Sequence, residues 1–286
     1  MKVLSLFDGI STGMVALERA GILVEEYYAS EIDKYAIQIA KKNYPNIIQL
    51  GDINNWSKWD IDWGDIDLII GGSPCQGFSN AGKCLNFDDP RSKLFFIFID
   101  ILNHIKKVNS NIIFLFENVK MKKEWANIIS KHIGVEPIEL NSSLFSAQNR
   151  RRLYWTNIKV NTEIKNKSSV VLKDIYREED NELYHLSKKH YLAFLKSYKW
   201  KPNCLNEKSK TILASYYKQP PHCPYIPCEK SPSGFRMLSP VECERLQTLP
   251  DNYTNGISKT QRYKCLGNAW TADVIAYIFK YINNVS

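Results

Sequence analysis

No stretch of this 286-residue chain is apolar for long enough to cross a bilayer, because the longest run, Leu94 to Ile99, stops at Asp100 where a spanning helix needs about 20 residues. The first residues, Met1 to Phe7, carry one positive charge and a brief apolar stretch, then run into Asp8 and Gly9. That reads as a buried strand and lacks the small-residue cleavage site of a secretory signal. Cysteine is sparse. The seven cysteines are odd in number, irregularly spaced and without any C-x-x-C pair, which suits a reducing compartment better than a disulfide framework. Cys204, Cys223 and Cys228, with His222 beside them, lack the paired spacing of a zinc site, so no metal is expected. Internal repeats and low-complexity tails are also missing. The expected setting is the cytoplasm.

Charge is unbalanced. Lys and Arg number 38 against 30 Asp and Glu, a net charge of +8, which favours an anionic partner, nucleic acid being the commonest.

Up to about residue 160, short strand-like runs alternate with longer helical ones. Val3 to Phe7, Tyr27 to Ser30, Leu68 to Gly71, Ile112 to Phe116 and Leu153 to Ile158 read as strands. Met14 to Ala20, Lys34 to Asn43, Arg91 to Lys107 and Glu124 to His132 repeat apolar residues three and four apart, as helices do. This pattern predicts a doubly wound α/β domain with a mostly parallel sheet, whose ligands sit at the carboxyl ends of the strands. Beyond residue 160 the texture becomes polar and irregular. Residues 200–234 are crowded with proline, cysteine, tyrosine and lysine. Helical patterns return at Ser239 to Thr248 and Thr271 to Ile282. We therefore expect residues 1–160 as a catalytic domain, 161–261 as a smaller irregular domain, and 262–286 as a segment returning to the first.

Three loops at strand ends carry nucleotide-like features. Phe7-Asp8-Gly9-Ile10-Ser11-Thr12-Gly13 leads from a strand into a helix, and its glycines let the backbone pass close to a ligand. Glu31 ends the second strand, where a carboxylate can accept ribose hydroxyls. Asp52, after Gly51, can accept from an adenine amine. Each alone also fits a turn and a helix cap; in order they outline an adenosine pocket. A fourth strand delivers Gly71-Gly72-Ser73-Pro74-Cys75-Gln76, a thiol on a constrained loop, and a fifth brings Glu117-Asn118-Val119 to the same edge. A buried cysteine is the bland alternative.

Phe7-x-Gly9, Gly72-x-Pro74-Cys75-Gln76, Glu117-Asn118-Val119, Gln148-x-Arg150-x-Arg152 and Gly267-Asn268 occur in the order found in C5-cytosine DNA methyltransferases, and the chain resembles that family over nearly its whole length. Trp270 after Gly267-Asn268-Ala269, and the brief recognition region, resemble the Dnmt3-like branch. The resemblance implies a Rossmann-like, S-adenosylmethionine-dependent methyltransferase with a small target-recognition domain over 161–261. It implies methyl transfer to C5 of a flipped cytosine in duplex DNA, leaving S-adenosylhomocysteine.

By the same resemblance Cys75 is the nucleophile that adds to C6. Glu117 bonds the ring nitrogen and amine from a dry pocket, Arg152 holds the O2 carbonyl, and Arg150 positions the catalytic loop, with Gln148 organising its turn. Glu31 receives the ribose, Asp52 the adenine amine, and Ile32 and Ile53 flank the adenine. Phe7, Asp8, Gly9, Thr12 and Gly13 approach the methionine end, joined by Pro74, Leu94, Asn268 and Trp270. Flipping a base requires a covering loop, here residues 76–89, so Gln76, Phe78, Ser79, Asn80 and Lys83 are expected at the DNA. Arg91, Arg151 and Lys210 are expected there too, with Tyr216 reading base edges.

A tRNA-directed relative would carry Cys-Phe-Thr after the nucleophile's proline where this chain has Gln76-Gly77-Phe78. A thiol hydrolase would need a base such as His104 or His132, and neither lies in a recognisable motif. A monomer on DNA is expected.

Overall fold

The computed structural model describes residues 1–74, 93–177, 182–197 and 200–284. Their contacts divide the chain into two compact units, one formed by Met1–Leu140, Arg151–Glu163 and Ile275–Ser286, the other by Asn141–Arg150 and Ile164–Val274.

The first unit is built on β1 (Lys2–Leu6), β2 (Glu26–Ser30), β3 (Ile48–Gln49), β4 (Leu68–Gly71), β5 (Ile113–Val119), β6 (Ile138–Asn141) and β7 (Arg151–Thr156), in the order β3-β2-β1-β4-β5-β7-β6. Strands β1 to β5 pair in parallel, and β7 runs antiparallel to β5. This is the mostly parallel, doubly wound α/β sheet expected. Every residue of β4 is buried, as a central parallel strand covered on both faces requires. Leu6 ends β1 one residue earlier than the sequence suggested, because Phe7 turns to φ 58°.

Helices α1 (Thr12–Arg19), α2 (Lys34–Asn43), α3 (Lys93–Val108) and α4 (Lys123–Ile133) follow β1, β2, β4 and β5 in the chain. Along α3, Phe95, Phe98, Ile99, Ile101, Leu102 and Ile105 are buried, the three-and-four spacing of one apolar stripe. That stripe joins Leu4, Ile69, Phe116, Ile129 and Trp155 in one core. Trp155 donates its indole N–H to Ser130 Oγ at 3.0 Å, so its polar edge is satisfied inside the core.

The second unit contains α5 (Leu172–Ile175), α6 (Lys188–Ser197), the hairpin of β8 (Tyr225–Pro227) and β9 (Phe235–Met237), α7 (Pro240–Leu246) and α8 (Lys259–Asn268), and it holds the start of α9 (Ala272–Phe279). Phe194 of α6 packs on Trp200 and Tyr225, and Trp200 meets Phe235 edge-on at 5.2 Å. Helix α7 begins with Ser239 and Glu242 exchanging bonds with each other's backbone N–H, a capping box. The same Glu242 pairs with Arg236 at 2.8 Å, both side chains essentially buried.

Candidate active site

The carboxyl edge of the sheet is where the sequence motifs meet. Leu6, Ser30, Gly71 and Phe116 lie level across β1, β2, β4 and β5. Residues just beyond them face one rim.

At the first loop, Phe7 and Gly9 have φ 58° and 63°, and an ideal Cβ on Gly9 would have no heavy atom within 4 Å. The turn thus leaves open space at the start of α1. Gly9 N donates to Glu31 Oε2 at 2.9 Å, while Ile32 N and Asp33 N donate to Oε1 at 2.7 and 2.8 Å. Glu31 is held between two loops with its carboxylate at the rim. Ile32 beside it is 73% exposed, an uncovered apolar surface next to a carboxylate. Gly51, at φ 74°, also leaves open space, and Asp52 caps the following turn by accepting from Asn54 N at 2.9 Å. An exposed isoleucine, two open glycine turns and two carboxylates fit an adenosine-type ligand. The remaining residues of that set play other parts. Ile53 belongs to the core, and Thr12 is buried. A Cβ at Gly13 would lie 2.6 Å from Ile70 Cδ1 and 2.7 Å from the Tyr27 hydroxyl, so this glycine lets α1 pack closely on the sheet. Leu94 and Phe7 pack against the core.

Asp8 sits inside the first turn. Ser5 Oγ and Tyr27 OH donate to its Oδ1 at 2.7 Å each, and Ser11 Oγ donates to Oδ2 at 2.5 Å. Burial pushes its carboxyl up to about 6 against these hydroxyls. The sequence reading missed Ser5 and Tyr27 as partners; the spacing of three through Ser5, Asp8 and Ser11 is the signal that was available.

On the other side of the rim, Glu117 pairs in register with Tyr154, and Arg152 stands two residues from Tyr154 on the same face of β7. Diagonal neighbours on one face are within reach of long side chains. Arg152 Nε lies 3.0 Å from Glu117 Oε1, with side-chain exposures of 14% and 12%. Arg152 also donates to Arg151 O at 2.8 Å. Asn118, 1% exposed, donates from Nδ2 to Ser73 Oγ at 3.3 Å and accepts from Val119 N at 2.8 Å. It ties the end of β5 to the loop that leads through the exposed Pro74 to Cys75. Cys75, Gln76, Phe78, Ser79, Asn80, Lys83 and Arg91 lie outside the described residues.

Arg150 and Gln148 belong to the second unit. The Arg150 guanidinium, 4% exposed, donates to the carbonyls of Ile212, Gly267 and Ala269 at 3.0 to 3.2 Å. Gln148 accepts from Ile212 N and donates to Leu246 O and Gln247 Oε1. Gln247 in turn holds Leu266 O and Ala269 O. These side chains pin the segment carrying Asn268, which is exposed, and Trp270, which is half-buried. Gln247 is a partner the sequence reading passed over.

Arg151 is exposed and 3.5 Å from Glu139. Lys210 donates to Lys201 O at 2.6 Å, and burial lowers its pKa. Tyr216 corrects the sequence reading: its side chain is fully buried, its hydroxyl donates to Pro224 O and accepts from Leu238 N at 2.8 Å. With both faces covered and its hydroxyl engaged, it has no surface to offer a base edge. The irregular, polar stretch around it carried no sign of that burial.

Residues 1–284 match the model of the C-5 cytosine-specific DNA methylase family. The Type II methyltransferase M1.ScrFI of Lactococcus lactis subsp. cremoris is 31% identical over 300 residues, covering 94% of this chain and 74% of that protein. The Type II methyltransferase M.NlaX of Neisseria lactamica is 29% identical over 305 residues, covering 97% and 94%. The solved Entamoeba histolytica methyltransferase EhMeth superposes with a TM-score of 0.77 at 20% identity over 99% of this chain and 97% of that one, a likeness of fold. A match running through the whole of the described sheet and both units, together with a relative above 30% identity, assigns the chain to the C-5 cytosine-specific DNA methylase family.

Proposed function

We propose that the protein transfers a methyl group from S-adenosylmethionine to C5 of a cytosine flipped out of duplex DNA at a specific sequence, through a covalent bond between Cys75 and C6. The observation that carries this reading is the Glu117 and Arg152 pair at the carboxyl rim, one strand away from the loop that enters Cys75 and is tied down by Asn118.

C5 of cytosine is a poor nucleophile until a thiolate adds at C6. As Cys75 forms that bond, electron density moves onto N3 and the C4–C5 edge. N3 takes up a proton delivered through the Glu117 carboxyl, the carboxylate left behind accepts from N3–H and from the exocyclic amine, and Arg152 exchanges its bond to Glu117 for the base O2. The low exposure of both side chains strengthens these bonds by excluding water. Bound S-adenosylmethionine supplies the electrophilic methyl group. Once C5 carries the methyl, a solvent base takes the C5 proton, the electrons of that bond form the C5–C6 double bond as the Cys75 thiolate leaves, and N3 returns its proton to Glu117.

Glu31 and Asp52 would bond the ribose and the adenine amine, with Ile32 against the adenine face. The target-recognition region, residues 161–261, would read the flanking bases, chiefly between Lys201 and Phe235. We place the activity in the cytoplasm, on DNA, with the protein acting as a monomer; among the described residues no helix is long and apolar enough to cross a membrane.

Incubation with labelled S-adenosylmethionine and duplex DNA containing 5-fluorocytosine tests the reading. Fluorine cannot be eliminated, so a trapped complex mapping to Cys75 is expected. Trapping on fluorocytosine RNA alone would reassign the substrate, and trapping on neither would refute the thiol mechanism.

A further inference from the structure

The turn after β1 adopts a shape its residues do not favour. Phe7 and Ser11 have φ 58° and 57°, both left-handed, a region that side-chain-bearing residues rarely occupy. Ser11 stands at the N-cap of α1, yet its hydroxyl makes no cap bond to the helix. It donates to Asp8 instead. The hydroxyl of Ser5 reaches the same carboxylate from inside β1, and that of Tyr27 reaches it from β2. Asp8 N donates to Ser30 O at 3.1 Å and Ser11 N donates to Asp8 O at 3.2 Å. Glu31 holds Gly9 N from the other side.

We propose that Asp8 is a positioning residue and not a cofactor ligand: its carboxylate holds the Phe7 to Ser11 turn in the shape that receives the methionine end of S-adenosylmethionine. The inference rests on the cofactor reading above. Three hydroxyls all donate to Asp8, which a carboxylate accepts without conflict, whereas a carboxylic acid must itself donate and so loses one of the three bonds. The groups facing Asp8 are Ser5, Ser11, Tyr27 and Glu31, and of these Glu31 alone carries charge. Burial and Glu31 push the Asp8 carboxyl up to about 6, against the hydroxyls. The turn is therefore fully tied at pH 7 and loosened at pH 5. When only the tied form binds, affinity scales with its population, giving about tenfold weaker cofactor binding at pH 5 than at pH 7.

The test is calorimetric titration of the whole protein with S-adenosylmethionine and, separately, S-adenosylhomocysteine between pH 5 and 7. Wild type should lose about tenfold in affinity for both ligands as the pH falls. Asp8→Asn should bind more weakly than wild type at pH 7 and show no step over this range. Tyr27→Phe removes one bond to the ionised form, so its step should move to higher pH, a shift that a general packing defect would not produce. Should Asp8→Asn fail to fold by circular dichroism, Tyr27→Phe and Ser11→Ala decide the matter on the same readout. A pH-independent wild-type affinity, or Asp8→Asn binding as tightly as wild type at pH 7, would overturn the role given to Asp8 and leave the cofactor reading standing. Wild type that takes up neither ligand at any pH would overturn both.

Discussion

Glu117 on β5 and Arg152 on β7 face each other diagonally across the antiparallel step of an otherwise parallel run of strands, Oε1 to Nε 3.0 Å. The strand reversal is what makes the pairing available. A parallel β7 would reach this rim with its last residues, whereas the antiparallel strand reaches it with its first.

Glu117→Gln keeps the shape and an acceptor but removes the charge that orders Arg152. Turnover should fall by about 10²-fold or more, in line with the loss of one preorganised bond to a developing charge, while cofactor affinity stays within about twofold. Single-turnover rates and cofactor titration separate the two. Unchanged turnover would remove Glu117 from the chemistry.

Because Glu117 and Arg152 act on each other as well as on the base, the double variant Glu117→Gln with Arg152→Ala should be less defective than the product of the single defects. A full double-mutant cycle on the methyl-transfer rate measures this. Strict additivity would mean that the two side chains work independently.

In the second unit, Glu242→Gln leaves Arg236 buried without its counter-charge. Breaking such a pair costs about 3–5 kcal/mol, read as a lowered urea midpoint. Replacing the two residues together by apolar ones of similar size should recover part of that loss. A near-neutral Glu242→Gln would show that the carbonyl partners of Arg236, Arg177 O and Met237 O, suffice alone.

Gly267→Ala should disrupt the second unit, since the added Cβ would sit 2.1 Å from Ala214 N and 2.2 Å from Leu213 C, backbone atoms that cannot step aside. Gly9→Ala meets no such obstacle, though its φ of 63° strains any side chain. Thermal unfolding should therefore rank Gly267→Ala well below Gly9→Ala. The reverse order would contradict the packing described.

Tyr216→Phe removes a hydroxyl that serves two backbone groups and leaves Leu238 N without its acceptor. A stability loss of about 1–3 kcal/mol is expected, with relative affinity among DNA sequences unaltered. A changed recognition sequence would return Tyr216 to the DNA.

Much of this is readable in the amino-acid sequence because the chemistry sits where chain pattern and backbone rule coincide. Glu117, Glu31 and the turn at Gly9 fall at the ends of apolar runs, where an α/β sheet presents its ligands. The core stripe of α3 is plain from its spacing. What stayed hidden depended on contacts distant in sequence. The burial of Tyr216 follows from Tyr263, Tyr225 and Leu238 closing around it. Arg150 reads as one arginine of a motif, and only packing shows its guanidinium spread over three carbonyls. Helix α8 ends in Gly267 and Asn268, residues that usually mark a stop, so the helix before them went unread. Helix α6 escaped for another reason: Leu192 and Leu195 are exposed while Phe194 is buried, which blurs the apolar stripe.

The first unit is not one continuous piece of chain, since it closes only when the last helix returns, with Lys159 N donating to Asn284 O at 2.7 Å and Tyr277 OH donating to Asn161 O at 2.7 Å. A variant shortened before Ile275 would keep every strand of the sheet but leave Lys159 N and Asn161 O without these partners.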